Sequence, residues 1–290
     1  MGTASTMQVM AESLGLMLPG TALMPATAPE LQKAAYEAGK QLLELVKKGI
    51  TAADIVTLKS FENAIIVHAA ISGSTNAILH LPAIAHEFGI EIDADTFERI
   101  HKSAHYLLDV RPAGRWPSEY VYYAGGVPAI MEEVRHLLHL DVMTVTGKTL
   151  GENLDGLKAG GYYEKCAEYL KKTGVKKEDI IRPFDAPIGD KGTIAILRGN
   201  LAPEGAGVKH SAVPVEMHKA LLRARPFDCE EDAIAAVIAH DIKPGDAVFI
   251  RYEGPKGSGM PEMFYTTEAI SSDPELGKTI ALITDGRFSG

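Results

Sequence analysis

Apolar side chains recur at helical spacing between residues 29 and 49, in the segment PELQKAAYEAGKQLLELVKKG. Such spacing places the apolar side chains on one face of an α-helix. Pro29 suits the first turn of a helix, and Gly49 suits the position that follows the last turn. The pattern therefore predicts an amphipathic helix over 29–49. Its predicted apolar face consists of Leu31, Ala35, Ala38, Leu42, Leu45 and Val46.

The remaining part of the first two thirds of the chain also favours helices. Asp93 is a typical residue at the start of a helix, and Pro128 suits a first turn. The segments predicted to be helical are 51–54, 93–108, 128–138 and 153–174. A short strand is expected over 141–146.

The pattern changes near residue 182. The segment Arg182–Pro187 has the composition of a linker. After it, short β-type runs predict strands at 193–197, 208–213, 246–252 and 279–283, with one helix over 230–239. The sequence thus predicts an α/β protein, with a helix-rich α/β part over residues 1–187 and a β-rich domain over residues 188–290.

The composition is that of a globular protein, because 46% of the residues are hydrophobic and 23% are charged. Lys and Arg total 29 against 38 Asp and Glu, which gives a net charge of −9 and argues against a nucleic-acid partner. Residues 63–86 carry no charge but contain His, Asn and Pro, so we expect a buried interior there rather than a membrane span. The cytoplasm is the expected compartment.

The sequence contains two cysteines, Cys166 and Cys229, and neither belongs to a CxxC pair. This excludes a disulfide scaffold. It also excludes an iron–sulfur cluster held by three or four cysteines of this chain alone.

Both ends of the chain are abrupt. The run 278–284 is typical of a buried strand, and it leads directly into the glycine-rich turn 284–290. A buried strand needs partners at its edges. The sequence therefore favours a fragment of a longer protein, with a short natural terminus as the alternative.

A cluster of glycine and hydroxyl residues precedes an apolar helical run at Ser72–Asn76. Backbone N–H groups at the start of a helix bind carboxylate or phosphate. Ser74, Thr75 and Asn76 are therefore candidates for binding an anionic substrate. An ordinary helix cap is the alternative interpretation.

Two further segments contain residue types suited to catalysis. Glu262 lies in the glycine-rich loop 254–262, and its carboxylate is a ligand type that Mg²⁺ prefers. The terminal turn 284–290 contains Ser289, which can act as a nucleophile or a base if a nearby cation favours its ionised form. The same turn contains Asp285 and Arg287, which could simply pair with each other.

Histidines form two closely spaced pairs. His101 and His105 have a metal-binding spacing, but Lys102 stands where the HExxH motif requires glutamate. His136 and His139 flank two leucines. We interpret both pairs as structural.

Four segments together resemble one enzyme family. They are GSTNAILHLPAIAHEFGI (73–90), DVMTVTGKTLGENL (141–154), ILRGNLAPEGAGVK (196–209) and ALITDGRFSG (281–290). They are similar to the dihydroxy-acid dehydratase / phosphogluconate dehydratase family, in the family's order along the chain. The resemblance implies that the chain is the middle of a longer enzyme, with an α/β domain followed by part of a β-barrel-like domain.

The resemblance also implies a reaction, the dehydration of a 2,3-dihydroxy acid to a 2-keto acid. An iron–sulfur cluster would act as Lewis acid on the departing hydroxyl, and Mg²⁺ would hold the substrate carboxylate and the C2 hydroxyl. Ser289 matches the serine that takes the C2 proton, and Glu262 matches a Mg²⁺ ligand. The Gly73–Asn76 turn is expected near the site.

The sequence departs from the family pattern in its metal ligands. Neither Cys166 nor Cys229 matches a cluster cysteine of the family, so the 290-residue chain alone is expected to hold no cluster and to be inactive. A homo-oligomer and a small dihydroxy acid are the expected partners.

Several alternatives remain open for the function. The opening MGTASTM favours a sugar acid (an aldonate) as substrate, and the dihydroxy acid of branched-chain amino-acid biosynthesis is the alternative. A non-catalytic binding module and a Mg²⁺-dependent phosphate-handling enzyme are alternatives from other classes.

Overall fold

The computed structural model describes residues 1–289, and the chain forms two compact units, Met1–Lys209 and the residues from His210 onward. The α-helices are α1 (Thr3–Ser13), α2 (Glu30–Lys48), α3 (Ala52–Ile55), α4 (Leu58–Ala70), α5 (Ala77–Glu87), α6 (Ala94–Ser103), α7 (Glu119–Tyr123), α8 (Gly126–Glu133), α9 (Leu150–Ala159), α10 (Tyr162–Lys171), α11 (Lys177–Ile180), α12 (Glu230–Ile238), α13 (Tyr265–Ser271) and α14 (Leu276–Thr279). The strands are β1 (Ile194–Leu197), β2 (Ala206–Lys209), β3 (Arg223–Phe227), β4 (Asp246–Ile250), β5 (Glu262–Met263), β6 (Ala281–Thr284) and β7 (Arg287–Phe288). Short 3-10 helices lie at Arg135–Leu137, His210–Ala212 and Val215–Met217.

Helix α4 forms the centre of the first unit. Thr57 starts it, because the Thr57 hydroxyl accepts a hydrogen bond from the N–H of Ser60 at 3.3 Å. Helices α1, α6 and α8 pack on α4, and both Phe61 and Ile65 are completely buried. The buried interior predicted for the uncharged run is therefore confirmed along α4.

The amphipathic helix predicted over 29–49 is confirmed as α2. It ends at Gly49, whose φ of 66° lies in the left-handed region that glycine adopts at little cost. Its apolar face is only partly covered, because Leu45 is buried while Leu42 and Val46 are 62% and 69% exposed. The side chains of α2 line a groove of about 350 Å³ together with the loop 16–18.

Other predictions differ from the structure in their boundaries. Helix α6 ends at Ser103 instead of continuing to 108, because the following residues form bridges with 181 and 189. The helix predicted over 153–174 is split into α9 and α10 at Gly160 and Gly161, and Gly161 has a φ of 71°. The strand predicted over 141–146 is wrong, because this segment forms turns with one isolated bridge from Met143 to Thr149.

The hairpin of β1 and β2 belongs to the first unit. The two strands are antiparallel, and β1 packs against α6. Compact packing therefore divides the chain after Lys209. The domain boundary expected near residue 187 stays a prediction.

The second unit is a small parallel α/β structure. Its strands have the order β3-β4-β6, and all neighbours are parallel. Helix α12 connects β3 to β4 and packs on both strands, with Ala233 and Val237 buried. Strand β3 was not expected from the sequence, because its RARPF segment is polar and half-exposed.

The mixed α/β class is confirmed, but the β-barrel-like expectation is wrong for the described residues 1–289. Their sheets have two or three strands and none is closed. Parallel strands need long crossover connections, and here helices supply them, so the strands form an open layered sheet.

Membrane-spanning helices were also searched for. Among residues 1–289, none of the helices combines the length and the apolar character that crossing a bilayer requires.

Candidate functional site

Glu262 lies on strand β5 of the second unit, and Ser289 directly follows the neighbouring strand β7. Strands β5 and β7 run parallel, and Glu262 pairs with Arg287 while Met263 pairs with Phe288. The N–H of Ser289 donates a hydrogen bond to the carbonyl oxygen of Met263 at 3.1 Å. The structure therefore brings together two candidate residues that are distant in the sequence.

The side chains of Glu262 and Arg287 share one side of this pair of strands, the β5–β7 ladder. Paired residues of a parallel ladder point to the same side, and side chains alternate along a strand. Arg287 Nη1 lies 4.0 Å from Glu262 Oε2, which agrees with their shared side of the ladder. Ser289 directly follows β7, two positions after Arg287.

The ladder combines three groups of different chemistry. The Glu262 side chain is 36% exposed, so its carboxylate is accessible to a cation. Arg287 is 20% exposed, and its Nε also donates to the carbonyl oxygen of Met260 at 3.3 Å, which orients the guanidinium. A hydroxyl beside a fixed cation and an accessible carboxylate can take part in proton transfer.

Asp285 holds the loop that precedes β5. Its carboxylate accepts hydrogen bonds from the N–H groups of Tyr252 at 3.1 Å and Glu253 at 3.0 Å. The sequence left open a pair between Asp285 and Arg287, but in the structure Arg287 pairs with Glu262. A Cβ on Gly286 would lie 2.6 Å from the carbonyl oxygen of Glu253, so only glycine allows this close approach.

We expect Asp285→Ala to loosen this loop. The amides of Tyr252 and Glu253 would lose their acceptor, at a cost of about 1–2 kcal/mol, which corresponds to roughly 5- to 30-fold faster amide hydrogen exchange at these two residues. Exchange measured by NMR or mass spectrometry checks this. Asp228→Ala is the control, because it removes only an exposed ion pair with Arg251. Equal exchange in the Asp285 variant and the unaltered protein would contradict the prediction.

Ser74, Thr75 and Asn76 form a turn in the first unit. Ser74 and Asn76 are each 1% exposed, and Thr75 is partly exposed. Thr3 of α1 holds both buried side chains, because its Oγ1 lies 2.9 Å from Ser74 Oγ and accepts from Asn76 Nδ2 at 2.7 Å. The hydroxyl of Thr6 accepts from the N–H of Ser74 at 3.1 Å.

The backbone of this turn and of the preceding Ser72 contacts two further residues, His68 and Lys209. The buried ring of His68 contacts the carbonyl oxygen of Ser74, with Nε2 at 3.0 Å. Lys209 Nζ donates to the carbonyl oxygen of Ser72 at 2.8 Å, and burial lowers the pKa of this lysine. Sequence reasoning missed His68, and its position within an uncharged run was the one available signal.

The histidine pairs noted in the sequence have structural contacts. His101 Nε2 lies 3.1 Å from His68 Nδ1, whereas His105 Nδ1 lies 3.0 Å from the carbonyl oxygen of Phe184. His139 Nε2 lies 2.8 Å from Glu62 Oε2, and His136 packs edge-on against Phe184. These contacts bear out the structural interpretation of both pairs.

The metal-ligating residues were tested against the cofactors that the resemblance implies. Cys166 is buried in α10, and Cys229 precedes α12 in the other unit, so the described cysteines do not fit an iron–sulfur cluster. Among residues 1–289, no group of three or more His, Cys, Asp or Glu side chains is arranged to hold a metal ion. Glu262 fits Mg²⁺ as a single carboxylate ligand, because Mg²⁺ retains waters and often takes only one or two protein carboxylates.

Comparison with known proteins identifies the class of dehydratases that two family models describe. One family model, described as "Dihydroxy-acid/6-phosphogluconate dehydratase N-terminal", matches residues 1–153. A second, described as "Dihydroxy-acid/6-phosphogluconate dehydratase C-terminal", matches residues 179–290. The chain belongs to the dihydroxy-acid/6-phosphogluconate dehydratase family, which confirms the resemblance seen in the sequence motifs.

Individual relatives match along the whole chain. Dihydroxy-acid dehydratase 1 of Methanosarcina acetivorans is 46% identical over 293 residues, which cover 100% of this chain and 50% of the relative. A dihydroxy-acid dehydratase of Acetivibrio thermocellus is 47% identical over 295 residues, with the same shares covered. One from Sulfurisphaera tokodaii is 46% identical over 291 residues, covering 99% of this chain and 49% of the relative. The chain spans about half the length of these curated relatives.

Proposed function

We propose that the whole protein is a hydro-lyase that dehydrates a 2,3-dihydroxy carboxylic acid to a 2-keto acid. Membership in the dehydratase family supports this reaction class. The observation that carries the proposal is the β5–β7 ladder, which pairs Glu262 with Arg287 and is directly followed by Ser289. We infer that the Ser289 hydroxyl faces the same side as the Glu262 carboxylate.

Ser289 is proposed to accept the proton from C2 of the substrate. A serine hydroxyl is a very weak acid, and positive charge nearby favours its ionised form. Arg287 lies two positions before it, and its guanidinium is held by Glu262 and Met260. Loss of the C2 proton to the ionised Ser289 and departure of the C3 hydroxyl give an enol. The departing hydroxyl and the proton held by Ser289 leave together as water, which restores the serine base, and the enol tautomerises to the ketone.

Glu262 is proposed to be a Mg²⁺ ligand. Bound Mg²⁺ would supply positive charge for the substrate carboxylate and C2 hydroxyl. The Arg287 guanidinium lies 4.0 Å from Glu262 Oε2 and orients this carboxylate. The iron–sulfur cluster implied by the family finds no fitting cysteine set among residues 1–289, so no step is assigned to it.

Thr75 is the residue of the Ser74–Asn76 turn proposed to face the substrate. Its partial exposure supports this role, whereas Ser74 and Asn76 are buried against Thr3 and support the turn. The N–H groups of Ala77 and Ile78 at the start of α5 already donate to the carbonyl oxygens of Ser74 and Thr75, so the Thr75 hydroxyl is the group proposed to bind the substrate.

The substrate is either an aldonate or a branched 2,3-dihydroxy acid. The opening segment of the sequence favoured the aldonate, whereas the relatives are named for dihydroxy acids, which supports the branched alternative at least as well. Assays of the whole protein on an aldonate and on 2,3-dihydroxyisovalerate distinguish the two by their kcat/KM values. We expect 2-keto acid formation with at least one of them, and its absence with both would overturn the proposed function in favour of a non-catalytic module.

The remaining proposals concern assembly and location. A homo-oligomer fits the exposed apolar side chains Leu42, Leu43 and Val46 of α2, and light scattering of the whole protein tests it. Two free cysteines fit a reducing compartment such as the cytoplasm.

A further inference from the structure

Two buried histidines link the Ser74–Asn76 turn to strand β1. The N–H of Ile194 donates to His101 Nδ1 at 3.3 Å. His101 Nε2 lies 3.1 Å from His68 Nδ1, and His68 Nε2 lies 3.0 Å from the carbonyl oxygen of Ser74. These three contacts form one continuous chain of hydrogen bonds, which we call the histidine relay.

The two backbone ends determine where each proton of the relay resides. The backbone N–H of Ile194 can only donate, so His101 Nδ1 carries no proton and His101 Nε2 does. His101 Nε2 therefore donates to His68 Nδ1, and His68 Nε2 donates to the carbonyl oxygen of Ser74. A second proton on either ring would place two N–H groups against each other, so the relay requires two neutral imidazoles.

Close packing holds both rings in place. His68 is completely buried and His101 is 1% exposed. A Cβ on Gly73 would lie 2.2 Å from His68 Cδ2, and a Cβ on Gly192 would lie 2.4 Å from His101 Nδ1. The backbone at Gly73 and Gly192 therefore lies so close to the two rings that a residue with a Cβ atom would clash with them.

The electrostatic surroundings also favour neutral rings. Burial lowers the pKa of His68 to about 4, although the contact with the Ser74 carbonyl raises it. The ammonium group of Lys209 lowers it further. This group contacts the carbonyl oxygen of Ser72, next to the turn.

We propose that His68 is a positioning residue for the dihydroxy-acid site, which it serves by fixing the carbonyl of Ser74 and with it the direction of Thr75. This rests on the proposed function of the Ser74–Asn76 turn. The relay holds the turn from the backbone side, and Thr3 and Thr6 hold it from the side of α1.

His68→Leu removes the donor while keeping an apolar side chain of similar size. In the whole protein, we expect this variant to raise the KM for the accepted dihydroxy acid about tenfold, because one buried hydrogen bond is lost. The kcat should change less than about twofold. Hydrogen exchange of the peptide that contains Ser74–Asn76 should become faster by a similar factor.

His68→Gln provides the conservative rescue, because its amide nitrogen can take the place of Nε2 and donate to Ser74. It should restore most of the KM and of the exchange protection. His105→Leu is the matched control, since His105 also contacts a backbone carbonyl, that of Phe184, but lies outside the relay. It should change neither quantity.

The outcomes separate the positioning role from the proposed function. Unchanged exchange at Ser74–Asn76 in His68→Leu overturns the positioning role, whatever the kinetics, and so does a His68→Gln variant that behaves like His68→Leu. If exchange responds as expected but Thr75→Val leaves KM unchanged, the relay holds the turn and the substrate role of the turn is wrong.

Discussion

Replacing Ser289, the proposed proton acceptor, with alanine is expected to lower kcat of the whole protein by about 10²- to 10⁴-fold, the range that a positioned proton acceptor contributes. KM should change little, because the substrate is held by other groups and the lost interaction forms only in the transition state. Steady-state kinetics at saturating Mg²⁺ measure both constants. The Ser289 N–H bond to Met263 is a backbone contact, so the variant keeps its place in the ladder.

A second serine of the same unit provides the control. Ser272→Ala removes a hydroxyl that bonds only to the preceding turn, at the carbonyl oxygen of Ala269. Its kcat should equal that of the unaltered protein. A Ser289→Ala enzyme that retains more than about a tenth of the activity would show that another group takes the proton.

Glu12 is expected to contribute a stability to the first unit that falls as the pH rises. This α1 side chain is 5% exposed, and its carboxylate accepts from the N–H groups of Gly20 at 2.7 Å and Ala22 at 2.8 Å. Burial raises its pKa from 4.5 to about 7, although these backbone donors lower it. The contribution of protonated Glu12 to the free energy of unfolding is therefore complete below pH 4.5. About 3 kcal/mol of this free energy is lost as the pH rises through 7.

His68 has the opposite effect on stability. Burial lowers its pKa from 6.5 to about 4, so its contribution is complete above pH 6.5 and is lost as the pH falls towards 4. The two slopes largely cancel between pH 4.5 and 6.5. In the unaltered protein, the summed contribution of Glu12 and His68 to the free energy of unfolding should therefore change little between pH 4.5 and 6.5.

Single variants should expose each slope. In Glu12→Gln, the free energy of unfolding should rise by about 2–3 kcal/mol from pH 4.5 to 6.5, and in His68→Gln it should fall by a similar amount. Urea denaturation followed by fluorescence of Trp116, the single tryptophan, measures this within the first unit. The control is Glu37→Gln, which alters only an exposed pair with Lys40. A Glu12→Gln profile parallel to that of the unaltered protein would disprove the linkage.

The candidate site shows which features local sequence patterns can predict and which they cannot. Glu262 and Ser289 were selected from residue type and from motifs, and the same motifs indicated the enzyme family. Their adjacency could not be derived, because it depends on the register of two strands with two residues each, and such short strands have little periodicity of their own. The role of Asp285 was missed for the same reason, since its partners Tyr252 and Glu253 are remote in the sequence.

The sequence alone determined the mixed α/β class, helix α2 with its end at Gly49, the candidate residues and the family, because these depend on local periodicity and on contiguous motifs. Only the tertiary structure decided that the sheets are open, that β3, β4 and β6 run parallel, that Glu262 faces Arg287, and that His68 and His101 join the Ser74 turn to β1. These features depend on contacts between distant segments. Strand register, burial and hydrogen-bond direction select such contacts, and no local pattern encodes them.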